Sequence, residues 1–261
     1  MIAQFFKDVK EYAYFCRYMA RTSLKAEVAN SYLNWIWWVI EPLASMLVYY
    51  LIFSNLLGRN QEYYVVFIYT GTLIWSYFDR CMLFAVSAIR LNRDIVTKTY
   101  IPKPMLILSN MLFNSLKMLI SIGILIILMV IQKVVLTPYI LYIIPMLIVL
   151  QLFVFGICLI SMHFGVFVDD LTHAMRIALH VLFYLTGVFY NLKTILPEPW
   201  GTWVIRINPM AAIMYNLRNG LLYGQAPEAA TVLVWFVLSI LLCYAGLKLS
   251  YRYENTYVKV I

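Results

Sequence analysis

Six stretches of this sequence are each long and apolar enough to cross about 30 Å of hydrocarbon as a helix, for which about 20 residues suffice. They fall at 36–57, 65–89, 104–131, 139–168, 174–192 and 231–249. In lipid every backbone N–H and C=O must be satisfied within the segment, so a chain built this way folds as a bundle of spanning helices. Composition agrees: 64% of the 261 residues are hydrophobic and 12% are charged, with a mean hydropathy of +0.81. A soluble domain runs near half apolar and a quarter charged. The expected fold class is an all-α polytopic membrane protein. One transmembrane domain fills 1–261, with a six-span bundle over 36–249 and a tail over 250–261.

An even number of spans puts both termini on one side. The excess of 20 Lys+Arg over 12 Asp+Glu, a net charge of +8, then decides which side. Lys7, Lys10, Arg17, Arg21 and Lys25 precede the first span, and Arg90, Arg93, Lys98 and Lys103 join the second to the third. Arg176, Lys248, Arg252 and Lys259 fall on the same side, against Arg59, Lys133, Lys193, Arg206 and Arg218 on the other. Basic loops stay in the cytoplasm, so both termini are expected there. The charge marks membrane sidedness, and no nucleic-acid partner is expected. The first 25 residues lack an uninterrupted apolar core and a small-residue cleavage site, so they read as mature chain and not as a secretory signal.

Two connections carry patterns of their own. Over 1–30, Ile2, Phe5, Phe6, Val9, Ala13, Cys16 and Ala20 recur at three or four residues, with Arg17, Arg21 and Lys25 as a basic stripe. Such a helix lies along the inner membrane surface, facing anionic lipid or a partner, or packs on its own subunit's loops. Between Asn191 and Glu228, prolines at 197, 199, 209 and 227 interrupt an apolar stretch. It reads as two short re-entrant helices broken at Asn208-Pro209, because proline disfavours helix in the residue before it.

Catalytic motifs are missing: there is no phosphate-binding G-x-x-x-x-G-K-[ST] loop, H-E-x-x-H helix or G-x-S-x-G turn. Cys16, Cys81, Cys158 and Cys243 are widely spaced and read as buried apolar residues. Asp169, Asp170, His173 and His180 could hold a divalent metal in an intramembrane enzyme, or form a solvated loop capping the fifth helix. No metal ligand is assigned. Charges inside spans need partners: Glu41 is paired with Arg80, Asp79 points about 100° from Arg80, and Lys117 lacks an obvious partner. With 21 Tyr, 15 Phe and 7 Trp, aromatics are abundant. Trp35, Trp37 and Trp38 suit an interfacial belt. Tyr49, Tyr69, Trp75, Phe78, Phe183, Tyr184 and Tyr190 lie inside spans, where a tyrosine hydroxyl needs a partner and ring faces suit a sliding carbohydrate.

Taken in order, Ser31-Tyr32-Leu33 leading to Trp37 and Glu41-Pro42, then Gly71, Trp75 and Phe78, then Asn92, Lys98, Pro102 and Lys103, then Asp170-Leu171, then Asn208-Pro209 with Arg218 and Gly224, resemble the membrane subunit of ABC-2 type exporters. The branch is the one that moves polysaccharides or teichoic-acid-like polymers on a lipid carrier. Asn34 and Ile101 depart from that pattern, standing where glycine and phenylalanine are common.

The resemblance implies a homodimer of six-helix subunits served by two copies of a separate ATPase, which alone binds ATP and Mg. This chain binds no cofactor and is a permease subunit, not an enzyme. Arg90, Asn92, Arg93, Asp94, Lys98, Pro102 and Lys103 would couple to the ATPase, supported by Arg17, Arg21 and Lys25. Trp37, Tyr49, Tyr69, Trp75, Phe78, Phe183, Tyr184 and Tyr190 would line the path of a lipid-linked glycan, and Asn208, Pro209 and Arg218 would form an outer gate. The expected location is a bacterial inner or plasma membrane. A permease for drugs or small lipids is the alternative.

Overall fold

The structure is a computed structural model that describes residues 1–29, 32, 34–56 and 61–260. Ser31, Leu33, Leu57 and Arg59 lie outside the described residues, as does the side chain of Asn34. Every described element is helical. The chain opens with α1 (Ile2–Glu11) and α2 (Ala13–Val28), bent at Tyr12. Next, α3 (Trp37–Tyr50) widens into a π turn over Leu51–Leu56, and α4 (Tyr64–Leu91) leads through the short α5 (Arg93–Lys98) into α6 (Pro104–Ile131). A 3-10 turn at Pro138–Tyr142 enters α7 (Ile143–Phe167), followed by α8 (Leu171–Leu185). The short α9 (Leu192–Ile195), α10 (Trp200–Ile207) and α11 (Pro209–Leu222) precede α12 (Ala229–Arg252) and α13 (Glu254–Val260).

Apolar length located most spans within a few residues, and five helices reach crossing length, Trp37–Ser54, α4, α6, Pro138–Phe167 and α12. The fifth run differs. It was expected over 174–192, but α8 spans 15 residues, about 22 Å, short of the bilayer core. Gly187 follows at φ 73, a left-handed turn that ends a helix and that glycine adopts without steric cost. The chain from Thr186 to Tyr190 continues without helix. It nonetheless completes a crossing: Asp169, just before α8, pairs with Arg90 near one end of α4, while Gly187 and Val188 share the Arg218 guanidinium with Phe67 near the other.

Both termini meet at one end of the bundle. Tyr251 donates to buried Asp8 at 2.5 Å, Tyr12 donates to the Tyr100 carbonyl at 3.4 Å, and Tyr100 donates to Glu254 at 3.3 Å. Lys103 is 2% exposed in the same cluster. Burial pulls its ammonium below its ordinary value and pushes the Glu254 carboxyl above its own. Five long helices alone would leave the termini at opposite ends, so the shared end itself requires the sixth crossing made by α8 and its continuation.

The N-terminal helix finds its support on a spanning helix of its own subunit, not on loops. It packs on its own subunit, running parallel to the first half of α6: Cys16 donates to the Met105 carbonyl at 3.6 Å, and Glu27 accepts from Lys117 at 2.6 Å. Cys16 and Ala20 face α6, while Arg17, Arg21 and Lys25 remain exposed. The bundle is organised round α4, against which α3, α6, α7, α8 and α11 all pack, with α12 against α7. Backbones touch where α7 crosses α4, since a Cβ on Gly165 would collide with the Val86 carbonyl. Burial is uneven: 67% of the apolar stretch of α4 is buried, against 6% of that of α3.

Candidate functional site

The uncovered side of α3 and α8 borders a cavity of about 470 Å³, closed behind by α4. Ser45 and Tyr49 come from α3, Thr72, Trp75, Ser76 and Asp79 from α4, and Arg176, His180, Phe183 and Tyr184 from α8. Steps of three and four residues recur on each helix, which is how one face is presented to a common space. The cavity is graded along its length. Asp79, Arg176 and His180 lie toward the end that carries the termini, and His180 Nδ1 is held 2.8 Å from the Arg176 carbonyl. Toward the other end the walls are aromatic. Phe183 lies 5.8 Å from Tyr49 and 5.5 Å from Trp75, and Phe189 stands 4.3 Å from Tyr49.

Of the aromatics read as a path lining, Tyr49, Trp75, Phe183 and Tyr184 are brought together here. The other four lie elsewhere. Tyr69 is fully buried and donates to the Ser121 carbonyl at 3.2 Å, so its hydroxyl is used between α4 and α6. Phe78 is 5% exposed, packed on Trp75 and Phe153 behind the wall. Trp37 stands exposed at the start of α3. Tyr190 donates to the Tyr184 carbonyl and lines a separate cavity beside Arg218. Sequence reasoning missed Ser45, Thr72, Ser76, Arg176 and His180 as lining. Their signal was helical spacing of small polar residues inside apolar runs, which is visible in one dimension.

Three of the charges named inside spans, Glu41, Arg80 and Lys117, are held in ion pairs. Arg80 holds Glu41 at 2.9 Å, as expected. Lys117, for which the sequence offered no partner, is paired with Glu27 at 2.6 Å. Asp79 and Arg80 do diverge, Asp79 into the cavity above and Arg80 into a second, smaller one.

The connection from Arg90 to Lys103 divides into a buried and an exposed part. Arg90 donates to the Gly165 carbonyl at 2.5 Å and pairs with Asp169 at 2.8 Å, so it ties α4 to the α7–α8 turn. Asn92 caps α4 by donating to the Ala88 carbonyl at 2.8 Å. Pro102 and Lys103 are buried, and the Lys103 ammonium donates to Ile101 at 3.1 Å. Neither can be touched by a docking partner. Arg93, Asp94 and Lys98 on α5 are exposed and can be. Asp169 is committed to Arg90, and among the described residues no three of His, Cys, Asp and Glu gather as a metal set.

At the opposite end the helix break falls at Asn208-Pro209, where the Asn208 carboxamide accepts from the backbones of Met210 at 3.0 Å and Ala211 at 3.3 Å, and Pro209 opens α11. Asn208 also donates to Thr186 at 3.1 Å. Arg218 is a clasp: it donates to the carbonyls of Gly187 at 2.8 Å, Val188 at 2.7 Å and Phe67 at 3.0 Å, and stacks 3.5 Å above the Phe67 ring. Two of the three, those of Gly187 and Val188, are carbonyls left outside the helix where α8 ends. Gly71 makes room, because a Cβ there would overlap the guanidinium.

The family model of the ABC-2 type transporter matches residues 14–222. The chain is 27% identical over 239 residues to the O-antigen export system permease protein RfbA of Klebsiella pneumoniae, covering 89% of this chain and 90% of that one. It is 26% identical over 229 residues to the protein of the same name from Myxococcus xanthus, covering 87% and 88%. With a family match that takes in nearly all of α2, the α4–α5–α6 connection and the Arg218 clasp, the chain belongs to the ABC-2 type transporter family.

Proposed function

We propose that this chain is the membrane subunit of an ATP-driven exporter that moves a lipid-linked polysaccharide of the O-antigen class out of the cytoplasm. The observation that carries it is the 470 Å³ cavity, aromatic at one end and bearing hydroxyls and charges at the other, on a side of the bundle that the subunit leaves uncovered. Stacked rings and exchangeable hydroxyl contacts hold a sugar chain without fixing its register, which a moving polymer requires. The relatives' names support the same cargo class.

A second copy of the chain closes the path. The exposed apolar residues Ile177, Val181 and Leu185 on α8 and Leu47 and Val48 on α3 border the cavity mouth, and two-fold pairing across them joins two half-conduits. The chain carries no phosphate-binding loop, so the energy comes from a partner ATPase, one on each copy. Its docking point is α5, where exposed Arg93 and Lys98 face the cytoplasm, with both termini on that side. Arg93→Glu combined with Lys98→Glu is expected to abolish export by cells that also carry the ATPase, while the subunit stays inserted and folded. Normal surface polymer in that double variant refutes the assignment.

A further inference from the structure

About 100° round α4 from Asp79 lies a second cavity of about 60 Å³ between α3, α4 and α6, lined by two cations. The Lys117 side chain is 8% exposed and that of Arg80 33%, while their carboxylate partners Glu27 and Glu41 are 40% and 58% exposed. The cations are built in, and the anions stand at the mouth. Trp38 adds a third donor, its Nε1 lying 3.2 Å from the other Glu27 oxygen. Three donors from three helices thus converge on acceptor oxygens supplied by two side chains that reach in from outside.

Depth and neighbourhood narrow what else could supply those oxygens. At 1.5 Å per residue, Lys117 lies about 21 Å from the outer end of α6 and Arg80 about 24 Å from that of α4. With the outer ends of these helices at the outer edge of a hydrocarbon layer of about 30 Å, both sit within about 10 Å of the cytoplasmic edge, within reach of a lipid headgroup. Ser45, Thr72 and Ser76 line this cavity and the large one alike, so the two adjoin through the α3–α4 seam. Glu27 belongs to the amphipathic α2, which packs on α6 through small apolar contacts and not through a spanning helix of its own.

We infer that Arg80, Lys117 and Trp38 form a binding site for the phosphate or diphosphate headgroup of the lipid carrier, with Glu27 and Glu41 as resident stand-ins that the headgroup displaces. A diphosphate brings more charge and more acceptor oxygens than a carboxylate, and charge-assisted bonds to Arg and Lys favour it. The headgroup would be anchored here while its glycan occupies the adjoining conduit. This inference rests on the export reading given above.

The test uses the full chain in phosphatidylcholine nanodiscs, with a fluorescent polyprenyl diphosphate as probe and the uncharged polyprenol of equal length and inorganic diphosphate as comparison ligands. Lys117→Gln and Arg80→Gln are each expected to weaken probe binding about tenfold or more. Glu27→Gln, which removes a stand-in, is expected to tighten it about threefold. In Glu27→Gln combined with Lys117→Gln the ion pair is gone altogether, and binding is expected at the weak level of Lys117→Gln. Equal binding of the polyprenol, equal binding of inorganic diphosphate, weakening by Glu27→Gln, or parental binding by the double variant would each overturn the site. The first denies phosphate recognition, the second makes the source a free phosphate, and the last two leave the pair as a structural staple. Surface polymer is scored separately in cells that also carry the ATPase. Its absence with the parent chain fails the export reading while the binding result stands, whereas normal export by a weakly binding Lys117→Gln fails the anchoring role alone.

Discussion

The two helices that meet at the α3–α4 seam are built for opposite purposes. α4 is buried over most of its surface, and many of its polar groups are spent inside the subunit: Tyr69 on the Ser121 carbonyl, Tyr77 on Gln151 at 2.5 Å, and the Phe67 carbonyl on Arg218. α3 packs against α4 on one face and leaves Leu47, Val48 and Leu51 bare on the other. In a bilayer no hydrophobic effect drives helices together, so close packing and hydrogen bonds are what distinguish them. The enclosed side therefore holds the subunit together, and the bare side is left free to work.

Substitutions can break that contrast. The largest effect on folding is expected from Arg218→Met, which strands the carbonyls of Gly187 and Val188 at about 1–3 kcal/mol each. The variant should lose its monodisperse peak on size-exclusion chromatography, and a parental profile would show that α8 ends without needing the clasp. Gly165→Val comes next, forcing α7 off α4 at a cost of about 1–3 kcal/mol or more, read as a lower thermal midpoint in detergent. Where α4 opens onto the large cavity, Ser76→Trp should cost no more than about 0.5 kcal/mol of stability, the range of exposed substitutions, yet cut export at least tenfold by filling the proposed conduit. A stability loss as large as that of Gly165→Val would erase the division between the two sides.

The smallest effect belongs to the end where the termini meet. Burial raises the Glu254 carboxyl above its ordinary 4.5, so the folded state holds that proton more tightly than the unfolded one. Its contribution is fully present below pH 4.5 and is lost as pH rises through the raised value. Lys103, lowered from 10.5, acts in the opposite sense, adding stability as pH rises from its lowered value toward 10.5. Hydrogen exchange across α13, corrected for intrinsic rates, should therefore quicken slightly as pH climbs above 4.5 in the parent and stay flat in Glu254→Gln. An equal slope in both would remove the carboxyl from the cluster.

Apolar length is a one-dimensional property, and α4, α6, α7 and α12 were accordingly legible in the sequence. So was the break at Asn208-Pro209, since the cap and the proline sit side by side. The end of α8 was not, because Gly187 alone could be read through as part of an apolar run and its stabilising partner, Arg218, lies on another helix. Residue type announced the aromatic lining, but the rotation of each helix decided which rings face the space, so Tyr69 and Phe78 turned inward while Tyr49 and Trp75 did not. Lys117 lacked a visible partner because Glu27 sits outside the spans, on a helix whose position the sequence left open.

The cluster of Asp8, Tyr12, Tyr100, Lys103, Tyr251 and Glu254 has a mechanical consequence. It pins the first helix, the start of α6 and the end of α12 to one another by side chains that cannot slide independently. A push delivered at α5, the docking point proposed above, would thereby be shared by three elements at once and reach the bundle as the tilt of a stiff plate, carrying Glu27 and the mouth of the small cavity along with it.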